Sequence, residues 1–543
     1  MTRSENSGRI LSASSRLENG TNDALVGSLP YERSWLSCHS LPVGVITANA
    51  DNAPSIPQKS ILVFMVTYYI IFWRRVNPGQ EIYGIISSMR QLLQKLHTRI
   101  GDFWWYSLML FVACRAADLL NAFVGLWLVP KYVNPSELGA VLPLTQFANF
   151  LAIPITAFAC AFRNEVSRLA VSKEFGKLKT LMRGVFIAAA IFLFVAIVVA
   201  RFTMPLLLER IRIVEGSLGI IIIATSFVGN ILPIYANALQ ALKKFREQSI
   251  INVVSAPIRL IVMLITMPFR AITGYFAGQA SVPAFNIAAS VFSLRKEFSA
   301  KAEPYWSQET IRKFSVLFAI FLTSGASGSF CALVESTIIR QRLPDLDSAA
   351  YYMATRFSEI AGFLYCAIVF TIFPFTADLA ARGKDIRPLL LKTTIATISF
   401  GAVVAMPFLF FGRAILSFLP NGDMYAAYWW AIPWMIGIST LSSIFGIYNM
   451  AKVSANSFSY MKWVISFQIL YTALLLIVTG HGYFNGIIPS QWTKFLTFHN
   501  ISSLDTMLWW MSASAVLHVA YCIADISIWG KNTKPLNKEN RVF

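Results

Sequence analysis

Charge is scarce in this sequence. Only 13% of its 543 residues are Asp, Glu, Lys or Arg, about half the roughly 25% usual in soluble proteins. Acid is scarcer still, with 27 Asp and Glu against 46 Lys and Arg. The six cysteines include no C-x-x-C pair. Five of them (Cys114, Cys160, Cys331, Cys366 and Cys522) lie in or beside apolar blocks, where a thiol acts as a small hydrophobe. A disulfide framework is excluded, and zinc or dithiol chemistry is a poor reading. His39, His97, His481, His499 and His518 never fall in metal-ligand spacing. Gly176-Lys177 and Gly383-Lys384 lack the upstream glycine of a phosphate-binding loop. No metal, cofactor or catalytic residue is therefore expected. The basic residues form no aromatic-interleaved face, so nucleic acid is not expected as a partner.

Long apolar runs are what the sequence does have. Hydrophobic residues make up 56% of it, gathered in blocks of roughly 20, enough to cross about 30 Å of hydrocarbon as helix. A compact soluble enzyme is ruled out, and the chain reads as an all-α polytopic membrane protein. Twelve spans are expected, near 104–128, 138–162, 184–206, 217–240, 249–269, 272–294, 314–338, 349–376, 389–412, 425–450, 463–480 and 506–529. Residues 1–88 read as a disordered extension with a short apolar segment at 60–73, too short to be a full span. Met89 opens a natural lead-in to the first span, so a start there is an alternative that N-terminal sequencing of the purified protein decides. Loops on one side of the twelve spans hold twenty-four Lys and Arg, from Arg163 to Arg541. Those on the other side hold nine, from Lys131 to Lys494. The asymmetry places both termini in the cytoplasm.

Twelve spans invite a search for two copies of six. A slide of 210 residues lays Gln146-Phe147-Ala148-Asn149 on Arg356-Phe357-Ser358-Glu359, and Lys177 on Arg387. Six spans per copy make the repeats parallel. The expected organisation is a six-helix bundle at 104–294, a cytoplasmic linker at 295–313, a second bundle at 314–529 around a central cavity, and a cytoplasmic tail at 530–543.

The segment Phe373-Pro374-Phe375-Thr376-Ala377-Asp378-Leu379-Ala380-Ala381-Arg382-Gly383 resembles a span end of the Wzx-like polysaccharide flippases. These belong to the multidrug/oligosaccharidyl-lipid/polysaccharide exporter superfamily. The first-half counterpart, Ala161 to Ala170, lacks the proline, while Leu128 to Gly139 resembles the family's first outer loop. The resemblance covers about 104–530. It implies an inner-membrane protein that moves a polyprenyl-diphosphate-linked glycan to the outer leaflet by alternating access. The membrane lipid itself, a polysaccharide polymerase and glycosyltransferases are the implied partners.

Three basic residues remain inside the spans: Arg115, Arg259 and Arg356. A charge at mid-bilayer costs about 2.5–3.5 kcal/mol on insertion scales, so such residues are expected to face a bundle interior or a wet cavity. Arg115 with Asp118, and Arg356 with Glu359, are spaced to share a helix face, and Gln146 and Asn149 form the repeat's matching polar stripe. The functional reading is that the three arginines and these amides bind a diphosphate, with Asp118 and Glu359 as cavity or coupling acids. The bland reading is buried structural ion pairs. Glu335 and Asp525, nearer span ends, are expected at a rim, and His518 in a core or interfacial position. A cation-coupled drug antiporter of the same superfamily is the alternative, and a membrane-embedded polymerase or acyltransferase a more distant one.

Overall fold

The computed structural model describes residue 115 and residues 117–532, apart from 214–217, 243, 382–384, 455–459 and 480–502. The expected extension 1–88, its segment 60–73, the start of the first span and residues 533–543 lie outside these. All regular structure among the described residues is helical. The first span ends in a π-helical stretch, Val124–Leu128, continued by the α-helical turn Val129–Tyr132 (α1). Then follow α2 (Val141–Val171), α3 (Phe175–Arg210), α4 (Leu218–Ala241), α5 (Phe245–Thr266) and α6 (Ala271–Ser293). The second series is α7 (Gln308–Arg342), α8 (Asp345–Ala381), α9 (Arg387–Ser417), α10 (Ala431–Ser454), α11 (Tyr460–Thr479) and α12 (Leu504–Asn532). Among the described residues, eight helices are long and apolar enough to cross a membrane. The chain is a multi-pass membrane protein.

Each expected span contains a helix, and many helices overrun the apolar run. α3 has 36 residues, about 54 Å at 1.5 Å per residue, well beyond the hydrocarbon. Its overrun is the amphipathic stretch before Gly184, whose Leu178, Leu181 and Met182 are buried. The remainder turns Phe194, Phe202 and Leu206 outward, as a lipid-facing helix must. Ser307 caps α7, its Oγ accepting from the Thr310 N–H at 3.2 Å, which satisfies one orphan donor. α7 thus begins at Gln308, earlier than the sequence suggests. Proline lies inside α2, α3, α5, α6 and α9, as packed membrane helices tolerate.

The helix ends Tyr132 and Arg342 are 210 residues apart, and so are Val171 and Ala381. That is the offset found in the sequence. In the first half α2 and α6 pack on α4, with α5 on α6; in the second, α8, α9 and α12 pack on α10. The halves are joined by exchange. α7 lies against α2 of the first half, and the first span and the short helix Pro135–Leu138 lie against α8 of the second.

Two residues sit where the sequence does not place them. Lys452, counted as a loop base, belongs to α10 and is 2% exposed, its Nζ 2.5 Å from Asp525. Tyr448 donates to the same carboxylate. Lys452→Met leaves that carboxylate short of its cation and should destabilise the protein by up to about 3 kcal/mol. Adding Asp525→Asn should recover most of the loss in thermal unfolding in detergent. Glu335, expected at a rim, is 3% exposed because α7 continues two turns past it to Arg342.

Candidate functional site

The face of α8 that meets the first half carries Tyr352, Arg356, Glu359 and Phe363. Steps of four, three and four residues hold these on one side of the helix. Arg356 donates from Nη1 to both oxygens of Glu359, at 2.7 and 2.9 Å, and its guanidinium lies 5.0 Å from the centre of the Tyr352 ring. The Arg356 Nε and Nη2 atoms are buried without a hydrogen-bond partner among the described residues. Tyr352 donates to the Gly125 carbonyl at 3.2 Å, inside the π-helical stretch, a helix form common at functional sites. A Cβ on Gly125 would lie 3.1 Å from Arg356 Cδ. Glycine here lets the arginine pass. Gly125→Leu should therefore displace Arg356 and lower transport about tenfold, while Gly125→Ala, which needs only a small shift, should cost much less.

Arg115 reaches the same face from the first span. It pairs with Asp118 at 3.0 Å and donates from Nη1 to the Phe363 carbonyl at 2.9 Å, across the halves. Phe363 is four residues beyond Glu359, so the two guanidinium groups reach α8 at neighbouring turns of one face. Arg259 comes from α5. It is 7% exposed and donates to Gln279 Oε1 at 3.3 Å, while Gln279 donates to the Tyr275 hydroxyl at 2.9 Å. Arg259 lies within electrostatic reach of Arg356, Tyr352, Glu359 and Tyr275. Among the described residues no carboxylate lies within ion-pair distance of it.

Arg115 of the first half and Arg356 of the second thus meet on one face of α8, at the seam between the halves, and Arg259 of the first half is within electrostatic reach of Arg356. All three are largely buried in this conformation: Arg259 is 7% exposed, and the Arg115 and Arg356 side chains are 12% and 11% exposed. Asp118 and Glu359 are their ion-pair partners. The amides stand apart. Asn149 Nδ2 donates to Gln146 Oε1 at 3.4 Å on α2, and neither is hydrogen-bonded to the arginines.

Sequence reasoning missed Tyr352, Tyr275, Gln279 and Gly125. Tyr352, four residues before Arg356, was the one with a local signal. It also missed a cavity of about 40 Å³ within the second half, lined by Glu335, His518, Ser358, Ser439, Ser443 and Tyr471. That is room for water. Tyr471 donates to Glu335 at 3.2 Å, and His518 is packed edge-on to Phe445 and Phe467, with ring centroids 4.6 and 4.3 Å away. None of the three arginines lines it.

Solved structures with this arrangement of helices include an inward-facing multidrug resistance MATE family transporter of the MOP superfamily. It is 10% identical, with a TM-score of 0.54 over 78% of this chain and 96% of that one. The chain has the fold of the MATE transporters. A mutant of the Vibrio cholerae MATE transporter VcmN is 13% identical, with a TM-score of 0.52 over 82% and 98% of the two chains. A MOP superfamily transporter from Pyrococcus furiosus is 11% identical, with a TM-score of 0.51 over 79% and 95%. At these identities the likeness to MATE structures is one of fold alone. No protein-family profile and no curated protein matches the chain. The expected twelve-helix, two-bundle architecture is consistent with the MATE fold.

Proposed function

We propose that this protein is a flippase that carries a polyprenyl-diphosphate-linked oligosaccharide from the cytoplasmic to the outer leaflet of the cell membrane by alternating access. One observation carries the reading. Arg259 is buried beside a neutral amide and near Arg356, so among the described residues the seam has three guanidinium groups against two carboxylates. Burying an unbalanced cation is costly unless an anion is to be bound there. The forked donors and permanent charge of guanidinium suit a diphosphate. Separation of the halves bares all three arginines at once, two on one wall and one on the other. The Pyrococcus furiosus neighbour is described as having a binding pocket of reversed polarity that suggests a different function, which is a precedent for a change of cargo on this fold.

The multidrug antiporter reading draws on the other neighbours, described as multidrug resistance or MATE transporters. A pocket for cationic drugs needs net negative charge, which this seam lacks. Reconstitution in liposomes separates the two. The flippase reading expects full-length protein to move a polyprenyl-diphosphate oligosaccharide between leaflets and to leave a cationic dye in place. Dye transport without lipid movement overturns it.

A further inference from the structure

We propose that the Arg340–Asp345–Arg212 cluster is a latch that holds the two halves together at one end of the molecule and must break in each transport cycle. Charge counting assigns Arg212 and Arg340 to outer loops, as solvated bases. The structure uses them otherwise. Arg340, at the end of α7, is 2% exposed, among the least accessible large side chains described. Its Nε donates to the Ile211 carbonyl at 3.1 Å and its Nη2 to the Ser136 carbonyl at 2.5 Å, both in the first half. Its Nη1 donates to Asp345 at 2.7 Å, at the start of α8. The same Asp345 oxygen accepts from Arg212 of the first half at 3.3 Å, and Arg212 also donates to the Gln341 carbonyl at 3.2 Å.

Backbone geometry at this end is equally particular. Arg212 and Asn421 are two of the three non-glycine residues with positive φ among those described, at 58° and 57°. Left-handed backbone is strained for a side chain such as arginine. Both residues use it to reach across the halves, Asn421 donating to the Pro130 carbonyl at 2.8 Å. Beneath them Gly139 meets Ser348 of α8 so closely that a Cβ would lie 2.1 Å from the Ser348 Oγ. A buried guanidinium, shared between two carbonyls of one half and a carboxylate of the other, has all its contacts or loses most of them at once. That is the behaviour of a two-position element rather than a graded one. By the charge asymmetry of the loops this is the outer end, so the latched state is closed to the outside.

The test needs no substrate, so its outcome is independent of the proposed cargo. Ser348 is 1% exposed at the latch. Full-length protein carrying Ser348→Cys, in liposomes, is exposed to a membrane-impermeant maleimide, and labelling is read at each cysteine by peptide mass spectrometry. With the latch intact, Cys at 348 should stay unlabelled. Adding Arg340→Gln or Asp345→Asn should raise its labelling at least about tenfold while the native buried Cys331 and Cys522 stay protected. Protected cysteines with no rise at 348 overturn the latch. Should Arg340→Gln unfold the protein, shown by labelling of Cys522, Arg212→Gln decides. It removes only the exposed arm, whose side chain is 56% exposed, and is expected to raise labelling a few-fold; no rise overturns the proposal.

Discussion

Arg356→Ala, combined with Glu359→Gln so that no buried carboxylate is left without its cation, should reduce lipid-linked oligosaccharide transport about a hundredfold while the protein still inserts and folds. The figure follows from the Nε and Nη2 donors of Arg356, which are buried without a hydrogen-bond partner among the described residues and which a bound diphosphate would take. A charge-assisted hydrogen bond contributes about 1.5–3 kcal/mol, so losing two at the lower figure costs about 3 kcal/mol, or two powers of ten in affinity. Arg356→Lys keeps the charge but loses the fork, and should sit between the two, near a tenfold loss. A lysine variant as active as the parent would mean that only a diffuse positive field is needed. An alanine variant with full activity would remove Arg356 from the site. Initial rates of leaflet transfer in liposomes matched for protein content distinguish these.

The second large effect separates function from packing at the Arg115–Asp118 pair. Arg115→Ala alone leaves Asp118 short of its cation in a poorly solvated place and should destabilise the protein by about 3–5 kcal/mol. Loss of transport in that variant therefore says little. Replacing the pair together, Arg115→Met with Asp118→Leu, should bring stability back to within about 1 kcal/mol of the parent, because well-packed apolar residues often replace buried ion pairs at no net cost. Transport should nevertheless stay at least tenfold down, since Arg115 also ties the first span to the Phe363 carbonyl of α8. Parent-like melting with parent-like transport would reduce the pair to a structural contact.

What could be read from the residues followed the range of the interactions. The i, i+3 pairs Arg115–Asp118 and Arg356–Glu359 are local, so helical spacing alone is enough to find them, and both are ion pairs in the structure. The 210-residue offset appears in the sequence as a faint polar stripe and in the fold as matched helix ends. Contacts between helices left no such trace. Arg259 and Gln279 are separated by twenty residues and a turn, and nothing in either segment announces their hydrogen bond. The neighbourhood of Arg259 and Arg356 depends on how the halves dock.

Counting charges in loops misjudged Arg340 and Lys452 for one physical reason. Helices continue beyond their apolar runs, carrying bases into places where carbonyls and carboxylates replace water. Arg340 found the Ile211 and Ser136 carbonyls, and Lys452 found Asp525. Glu335 was misjudged in the same way, by a helix longer than its hydrophobic stretch.

Direct binding tests the central claim, that guanidinium groups from both halves form one diphosphate site. Purified full-length protein and the Arg259→Gln/Arg356→Gln double variant would each be titrated with a polyprenyl-diphosphate oligosaccharide and with the matching monophosphate, and binding followed by native mass spectrometry. The expected result is that the parent prefers the diphosphate by tenfold or more and that the double variant loses this preference. An undiminished preference in the folded double variant, or no preference in the parent, contradicts it.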